Sequence, residues 1–410
     1  EDGIRAVLGG LVGSEMCIRD RVRGDAVESH ERRVSHELRD VGGNVHGCSR
    51  MFWCLTQPNS LLVPSRLLDP FLGYNGCRGG VVGFIERLEA RAAAVGGRVV
   101  LAEGHDERIV QAAGQLVDAG GCDVTLVCTD EQRQSAHDEL ADRGVDIADP
   151  TTDPRREGLA DHLFERRAAK GMSRQAALAA VEDPLYFASL MVATGAADAS
   201  VGGAVRTTAD TVRAALHCIG SAPGLRTVSS AFIMIHPDSG WGKDGVMVFA
   251  DCAVLPDPDS VQLAEIALSA AATFRSIVGG EPKVALLSFS THGSAKHPLV
   301  DKVIGARAEL EARDVDFIFD GELQLDAALL PGVGEKKAPG SAVAGKANVL
   351  VFPDLNAGNI TYKAVERFGG ARAQGPLMQA LANPANYLSR GCSAGDIVQT
   401  SYLSLLHAKG

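Results

Sequence analysis

From about residue 80 onward, short apolar segments alternate with amphipathic segments of helical period, and glycines mark the changeovers. This pattern constrains the fold more than any other feature. Parallel strands cannot be joined by a tight hairpin and need a crossover, usually a helix. A helix is expected over 81–95, stopped by Gly96-Gly97, then a strand over 98–102 and a turn over 103–106. A helix over 107–119, a strand over 123–128, a helix through Leu140 and a strand over 145–147 follow. Helices are read over 155–170 and 173–181. Asp183-Pro184, an N-cap followed by proline at N1, opens another with its body at 185–194. A strand over 198–201 leads to a helix from Thr208.

After Ala222-Pro223-Gly224 the period changes. Apolar segments at 227–235 and 246–249 flank a polar glycine loop, which reads as a hairpin and not a crossover. Alternation then resumes, with a helix over 259–278, a strand over 283–287, a helix over 298–312 and a strand over 315–319. A helix over 323–330, an irregular stretch over 336–346, a strand over 348–352, a helix over 359–368 and a return over 369–375 complete it. At 410 residues the chain exceeds one ordinary core. We expect an α/β protein of two domains with mostly parallel sheets: 80–222 plus 379–410, and 223–378. Such sheets place ligands beyond the carboxyl ends of their strands.

Residues 1–79 do not share this order. Arg-rich and Gly-rich pieces alternate there without period, and Cys17, Cys48, Cys54 and Cys77 are scattered among them. Residues 11–21 resemble a peptide found in translated sequencing-adapter contamination. We read the segment as an unstructured or artefactual leader. No regular cysteine framework and no CxxC pair occurs, so reduced thiols are expected. A net charge of −11 argues against nucleic acid as a partner, and an anionic ligand must be met by local positive sites. No uninterrupted apolar run of membrane-spanning length is read, so no membrane partner is expected.

The chemistry concentrates in polar glycine loops. Ser389-Arg390-Gly391-Cys392-Ser393-Ala394-Gly395-Asp396 precedes an apolar run. Its Ser393…Asp396 spacing is that of a capping box opening a helix. A helix N-terminus beside an arginine suits a phosphate or carboxylate, and Asp396 could serve as a general base. The same residues would serve equally as a cap and a surface ion pair. Residues 202–208 offer hydroxyls and Arg206, and Arg213 follows on the next helix. Residues 288–296 carry Ser290, Thr291 and a lysine, and residues 353–359 carry Asn356 and Asn359. No P-loop, dinucleotide fingerprint, zinc motif or GxSxG elbow is present, so no metal is expected.

Five stretches together resemble the phosphate acetyltransferase (phosphotransacetylase) family, over about residues 80–410. They are Phe249-Ala250-Asp251-Cys252-Ala253-Val254, Asp320-Gly321-Glu322-Leu323-Gln324, residues 339–348 from Pro339, residues 352–360 from Phe352, and Ser389-Arg390-Gly391-Cys392-Ser393. His292 stands where many members carry lysine. The resemblance implies a three-layer α/β/α, isocitrate/isopropylmalate dehydrogenase-like fold with its site in the cleft between two domains. It implies reversible transfer of an acetyl group between coenzyme A and phosphate, with acetyl-CoA and acetyl phosphate as substrates and no tightly bound cofactor. A cytoplasmic homodimer with a functional link to acetate kinase is implied as well. By the same resemblance Asp396 is the base toward the thiol, Ser389 assists, and Arg390 holds the phosphate and the oxyanion. Arg213 is a second active-site arginine, and Arg167 a contact to coenzyme A. Phosphate butyryltransferase activity, or a non-catalytic acyl-CoA-sensing role, are the alternatives.

Overall fold

Two β-sheets divide the chain between them. The structure, a computed structural model, describes residues 78–409, with side chains from residue 83. The readings made for residues 1–77, including four of the nine cysteines, lie outside the described residues. The first sheet has strands β1 (Arg98–Leu101), β2 (Asp123–Val127), β3 (Asp146–Ala148), β4 (Ala199–Gly202) and β11 (Ala385–Tyr387). Its order is β11-β4-β1-β2-β3 and every pairing is parallel. Helices on both faces bury these strands, which is why they read as continuous apolar runs and not as alternating ones.

The second sheet comprises β5 (Ser229–Ile235), β6 (Val246–Ala250), β7 (Lys283–Leu287), β8 (Ile318–Leu323), β9 (Val349–Val351) and β10 (Arg372–Gln379). Its order is β10-β5-β6-β9-β7-β8. Only β5 runs against its neighbours, pairing antiparallel with β6 and β10. The polar glycine loop between 235 and 246 therefore closes the hairpin that the sequence suggests. Both sheets lie within one compact unit.

Several boundaries differ from the sequence reading. The strand expected over 315–319 runs instead over Ile318–Leu323, paired with β7 from Lys283↔Ile318. It carries the polar Asp320-Gly321-Glu322 inside, where hydropathy does not look for a strand. The expected helix over 323–330 is a short turn of helix at Leu325–Leu329, and a second helix, Pro331–Lys337, enters the stretch read as irregular. The helix expected from Asn359 starts at Leu355, because the Asp354 side chain accepts from the Ala357 N–H at 2.9 Å and caps it. The return over 369–375 is the start of β10, and β11 was not read at all.

Two helices tie the halves together. Ser260–Thr273 continues as a single π-turn, Phe274–Val278. Together they make a 19-residue stretch of mean hydropathy 1.3, long and apolar enough to cross a membrane, but 61% of its apolar window is buried inside the protein. The C-terminal helix, Ala394–Lys409, is buried on every side from Ile397 to Leu406. It packs on β1, β4 and β11 of the first sheet and also on β10 and the π-turn beside the second. Its buried hydroxyls are satisfied locally, Thr400, Ser401 and Ser404 each donating to the carbonyl one turn back at 2.6–2.8 Å.

Candidate active site at the carboxyl edge of the first sheet

Three loops leave neighbouring strands β1, β4 and β11 at the same edge, and two side chains bind them into one unit. The first is Glu103, in the left-handed region at φ 61° directly after β1. It is 1% exposed. Its carboxylate accepts the N–H groups of Gly203, Ala204 and Arg206 at 2.7 Å each, and of Val205 at 3.3 Å. A buried carboxylate is tolerable only with such saturation. The consequence limits what the 202–208 loop can offer a ligand. The backbone N–H groups of the 203–206 loop are not available to an external anion, because an internal one occupies them.

The second is Arg108, in the first turn of the helix Glu107–Ala119. It pairs with Asp106 through Nε at 2.9 Å and Nη2 at 2.8 Å. The same guanidinium donates to the carbonyls of Ala204 at 2.9 Å, Arg390 at 2.7 Å and Cys392 at 3.1 Å. Arg108 uses its planar fork to hold the β4 loop and the β11 loop at fixed separation, which a lysine could not do. The Asp106 side-chain hydrogen bonds to Arg108, opposed by burial, hold the Asp106 carboxyl below its ordinary range. Backbone pairing adds to the clamp, with the Leu388 N–H donating to the Gly202 carbonyl at 2.8 Å. At Gly203, with φ 87°, a Cβ would press on the Thr211 hydroxyl at 2.9 Å.

At the tip of this clamp stand Ser389 and Arg390, both exposed. Arg390 makes no ion pair among the described residues, so its guanidinium is free toward solvent. The capping box anticipated at Ser393 is formed. Asp396 Oδ2 accepts from the Ser393 N–H at 2.9 Å and its hydroxyl at 2.8 Å, and the Asp396 N–H donates to Ser393 Oγ at 3.2 Å. Oδ1 has no hydrogen-bond partner among the described residues. Asp396 thus caps the helix with one oxygen and presents the other. Cys392 is buried, and desolvation pushes its thiol up despite the nearby Arg108. It is a poor nucleophile there.

The arginines on the helices behind this edge differ in how they are held. Arg206 lies 3.1 Å from Asp183 and 3.8 Å from Asp210, and Arg213 lies 2.7 Å from Asp210. Arg167 has no carboxylate within ion-pair distance among the described residues. Its Nη2 instead faces His217 Nε2 at 3.4 Å.

Ser290, Thr291, Asn356 and Asn359 sit at the carboxyl edge of the second sheet, and no hydrogen bond among the described residues joins them to the 389–396 loop. Ser290 and Thr291 are buried and tie their loop to the end of β8. Ser290 donates to Glu322 at 2.9 Å, and Thr291 Oγ1 accepts from the Gln324 N–H at 2.9 Å. They shape the loop and have little left for a ligand. Asn356 is exposed. Asn359 donates to the Cys252 carbonyl at 3.0 Å. It thereby anchors its helix to the turn after β6, where a Cβ at Gly358 would run into the Asp251 carbonyl. That turn spans the seam between the sheets: Val254 packs in one cluster with Tyr387, and Cys252 in another with Phe352. Asp251 organises it, accepting the N–H groups of Ala253 at 2.9 Å, Val254 at 3.2 Å and Leu255 at 2.7 Å. Burial pushes its carboxyl up, and these bonds oppose the shift.

Glu103 and Arg108 were not singled out in the sequence, and Asp251 stood there only inside a family-like stretch without a role of its own. Glu103 and Arg108 work through backbone groups distant along the chain, and such partners leave no local spacing signal, whereas Asp251 ties down the N–H groups two to four residues on.

Residues 83–405 match the phosphate acetyl/butaryl transferase family. A phosphate acetyltransferase from Acetivibrio thermocellus is 44% identical over 326 residues, 80% of this chain and 98% of that protein. A phosphotransacetylase from Streptococcus pyogenes superposes with a TM-score of 0.75 at 38% identity, covering 80% of this chain and 98% of that one. The EutD phosphotransacetylase from Staphylococcus aureus does so at 0.72 and 39%, covering 80% and 99%. Agreement in sequence and in fold over the same 80% of the chain places this protein in the phosphate acetyl/butaryl transferase family.

Proposed function

We propose that the protein transfers an acetyl group reversibly between coenzyme A and inorganic phosphate. The observation that carries this reading is the clamped 389–396 loop. It offers a free guanidinium, a hydroxyl and one unpartnered carboxylate oxygen within eight residues of chain. Asp396 Oδ1 takes the thiol proton of coenzyme A. The thiolate attacks the carbonyl carbon of acetyl phosphate, a C–S bond forms, and the carbonyl electron pair moves to oxygen. Arg390 and the Ser389 hydroxyl stabilise that oxyanion. Collapse re-forms the carbonyl and breaks the bond between the acyl carbon and the bridging oxygen, and inorganic phosphate leaves with that oxygen. The reverse direction uses the same groups in the opposite order. Attack within a ternary complex needs no acyl-enzyme, consistent with the raised Cys392 thiol.

In this reading Arg213 is a second active-site arginine and Arg167 a contact to coenzyme A, with Arg206, Asn356 and Asn359 as further substrate-binding candidates. Segments 80–222 plus 379–410 and 223–378 act as two domains with the cleft between them, a division supported by each having its own sheet. We further infer a cytoplasmic homodimer whose acetyl phosphate is exchanged with acetate kinase.

The test is acetyl-CoA formation from coenzyme A and acetyl phosphate, run beside butyryl phosphate. The wild-type protein should favour acetyl phosphate. Asp396→Asn keeps an oxygen for the cap and should lose about 10²–10⁴-fold in kcat, with little change in melting temperature. Full activity in that variant would end the base assignment. Binding of acetyl-CoA without turnover in the wild type would replace the enzyme with a sensing domain.

A further inference from the structure

Arg167 is held by a neutral imidazole, an unusual partner for a guanidinium. A guanidinium nitrogen can only donate, so His217 Nε2, 3.4 Å from Arg167 Nη2, must be the accepting nitrogen. The remaining ring nitrogen, Nδ1, then carries the hydrogen and donates to the Tyr186 hydroxyl at 2.8 Å. Ring centroids of Tyr186 and His217 lie 5.9 Å apart, edge to face. The chain Tyr186–His217–Arg167 joins three helices: Pro184–Ala193, Thr208–Cys218 and Arg156–Arg167. Arg167 Nε is buried and has no hydrogen-bond partner among the described residues, so the guanidinium keeps an unused donor there.

The surrounding charges enforce this arrangement. Arg167 and Lys170 face His217 from one helix and the turn after it, and Arg213 faces it from its own helix. Burial and these three cations push the imidazole down to about 4. Asp183 stands on the Tyr186 side, and Asp210 is taken up by Arg213 at 2.7 Å. A carboxylate at position 217 would neutralise Arg167. A neutral imidazole fixes its direction and leaves its full charge for an incoming anion.

We infer that His217, backed by Tyr186, is a positioning residue that aims Arg167 at a phosphate group of coenzyme A. This rests on the reading of Arg167 as a coenzyme A contact, and adds how the contact is built and how it can be broken without touching the acyl chemistry.

Equilibrium titration of coenzyme A into the whole protein, with steady-state kinetics in both substrates, tests it. His217→Leu should raise the dissociation constant and the KM for coenzyme A roughly tenfold, the worth of one hydrogen bond to a charged group. At saturation kcat should stay within about twofold and the KM for acetyl phosphate should not move, because the 389–396 loop is untouched. His217→Gln, whose side-chain oxygen can still accept from Arg167, should recover most of the affinity. Tyr186→Phe, which removes only the acceptor for Nδ1, should cost about threefold in the same direction. Unchanged coenzyme A affinity in folded His217→Leu would overturn the inference, as would a glutamine variant no better than leucine. If His217→Leu does not fold, the glutamine and Tyr186→Phe variants decide the same question. A wild-type protein that binds coenzyme A with this mutational pattern but transfers no acetyl group would refute the proposed reaction and leave the positioning role standing.

Discussion

Replacing Glu103 by glutamine should loosen the β4 loop without removing any group that meets a substrate. The carboxylate takes four N–H donors, two on each oxygen, three of them at 2.7 Å. An amide keeps one oxygen and two of these bonds. Its NH₂ group then points at the other two donors, which stay buried and unpaired. Hydrogen bonds to a charged acceptor contribute about 1.5–3 kcal/mol each, so two of them represent about 3–6 kcal/mol. The amide is easier to desolvate than a carboxylate, which offsets part of the loss and leaves a net destabilisation of about 2–4 kcal/mol. For a domain of this size that is a fall in melting temperature of roughly 4–10 °C. The displaced Ala204 carbonyl would also leave Arg108 short of one acceptor, so kcat/KM should fall at least about tenfold. Thermal melts and kinetics on the same preparations check both effects. A glutamine variant that melts within about 1 °C of wild type and turns over normally would show that the four bonds do not hold the loop.

Arg108→Met keeps the stem and removes the fork, so kcat/KM should fall about 10–100-fold with acetyl phosphate as varied substrate, since the Arg390 carbonyl loses its tether; Arg108→Lys should rescue it poorly. Cys392→Ser should keep kcat within about threefold, because a thiol pushed up by burial takes no part as nucleophile; inactivation of the serine variant would reinstate a covalent route. Gly203→Ala, forced into φ 87° against the Thr211 hydroxyl, should destabilise by about 1–3 kcal/mol in a denaturant titration. His217 is pushed down to about 4 from 6.5. In that window the unfolded chain binds the extra proton, so stability is full above about 6.5 and declines as pH falls toward 4. The group is only half-buried, so its share is at most about 1–2 kcal/mol, and His217→Leu should flatten that part of the stability-versus-pH curve.

The sequence by itself determined the architecture. Glycine stops and apolar strand runs placed most strands and helices of both sheets, because those signals act within a few residues of chain. The hairpin of β5 and β6 was legible for the same reason, as was the Ser393–Asp396 cap. Local pattern misplaced β8, because Asp320 and Glu322 are polar residues buried inside a strand by partners from other loops. It missed β10 and β11, whose pairing to β5 and β4 joins residues more than a hundred positions apart. Only the tertiary structure decided what the site loops can still do. In sequence the 202–208 loop offers hydroxyls and Arg206 to an anion, yet its backbone N–H groups are already taken by Glu103, a hundred residues earlier in the loop after β1. The sequence singles out Arg390 as an anion contact, yet only the structure shows Arg108 fixing its backbone while its side chain makes no ion pair among the described residues. Whether a polar group is free for chemistry depends on what else folding brings within hydrogen-bond reach, and that distance is set in space and not along the chain.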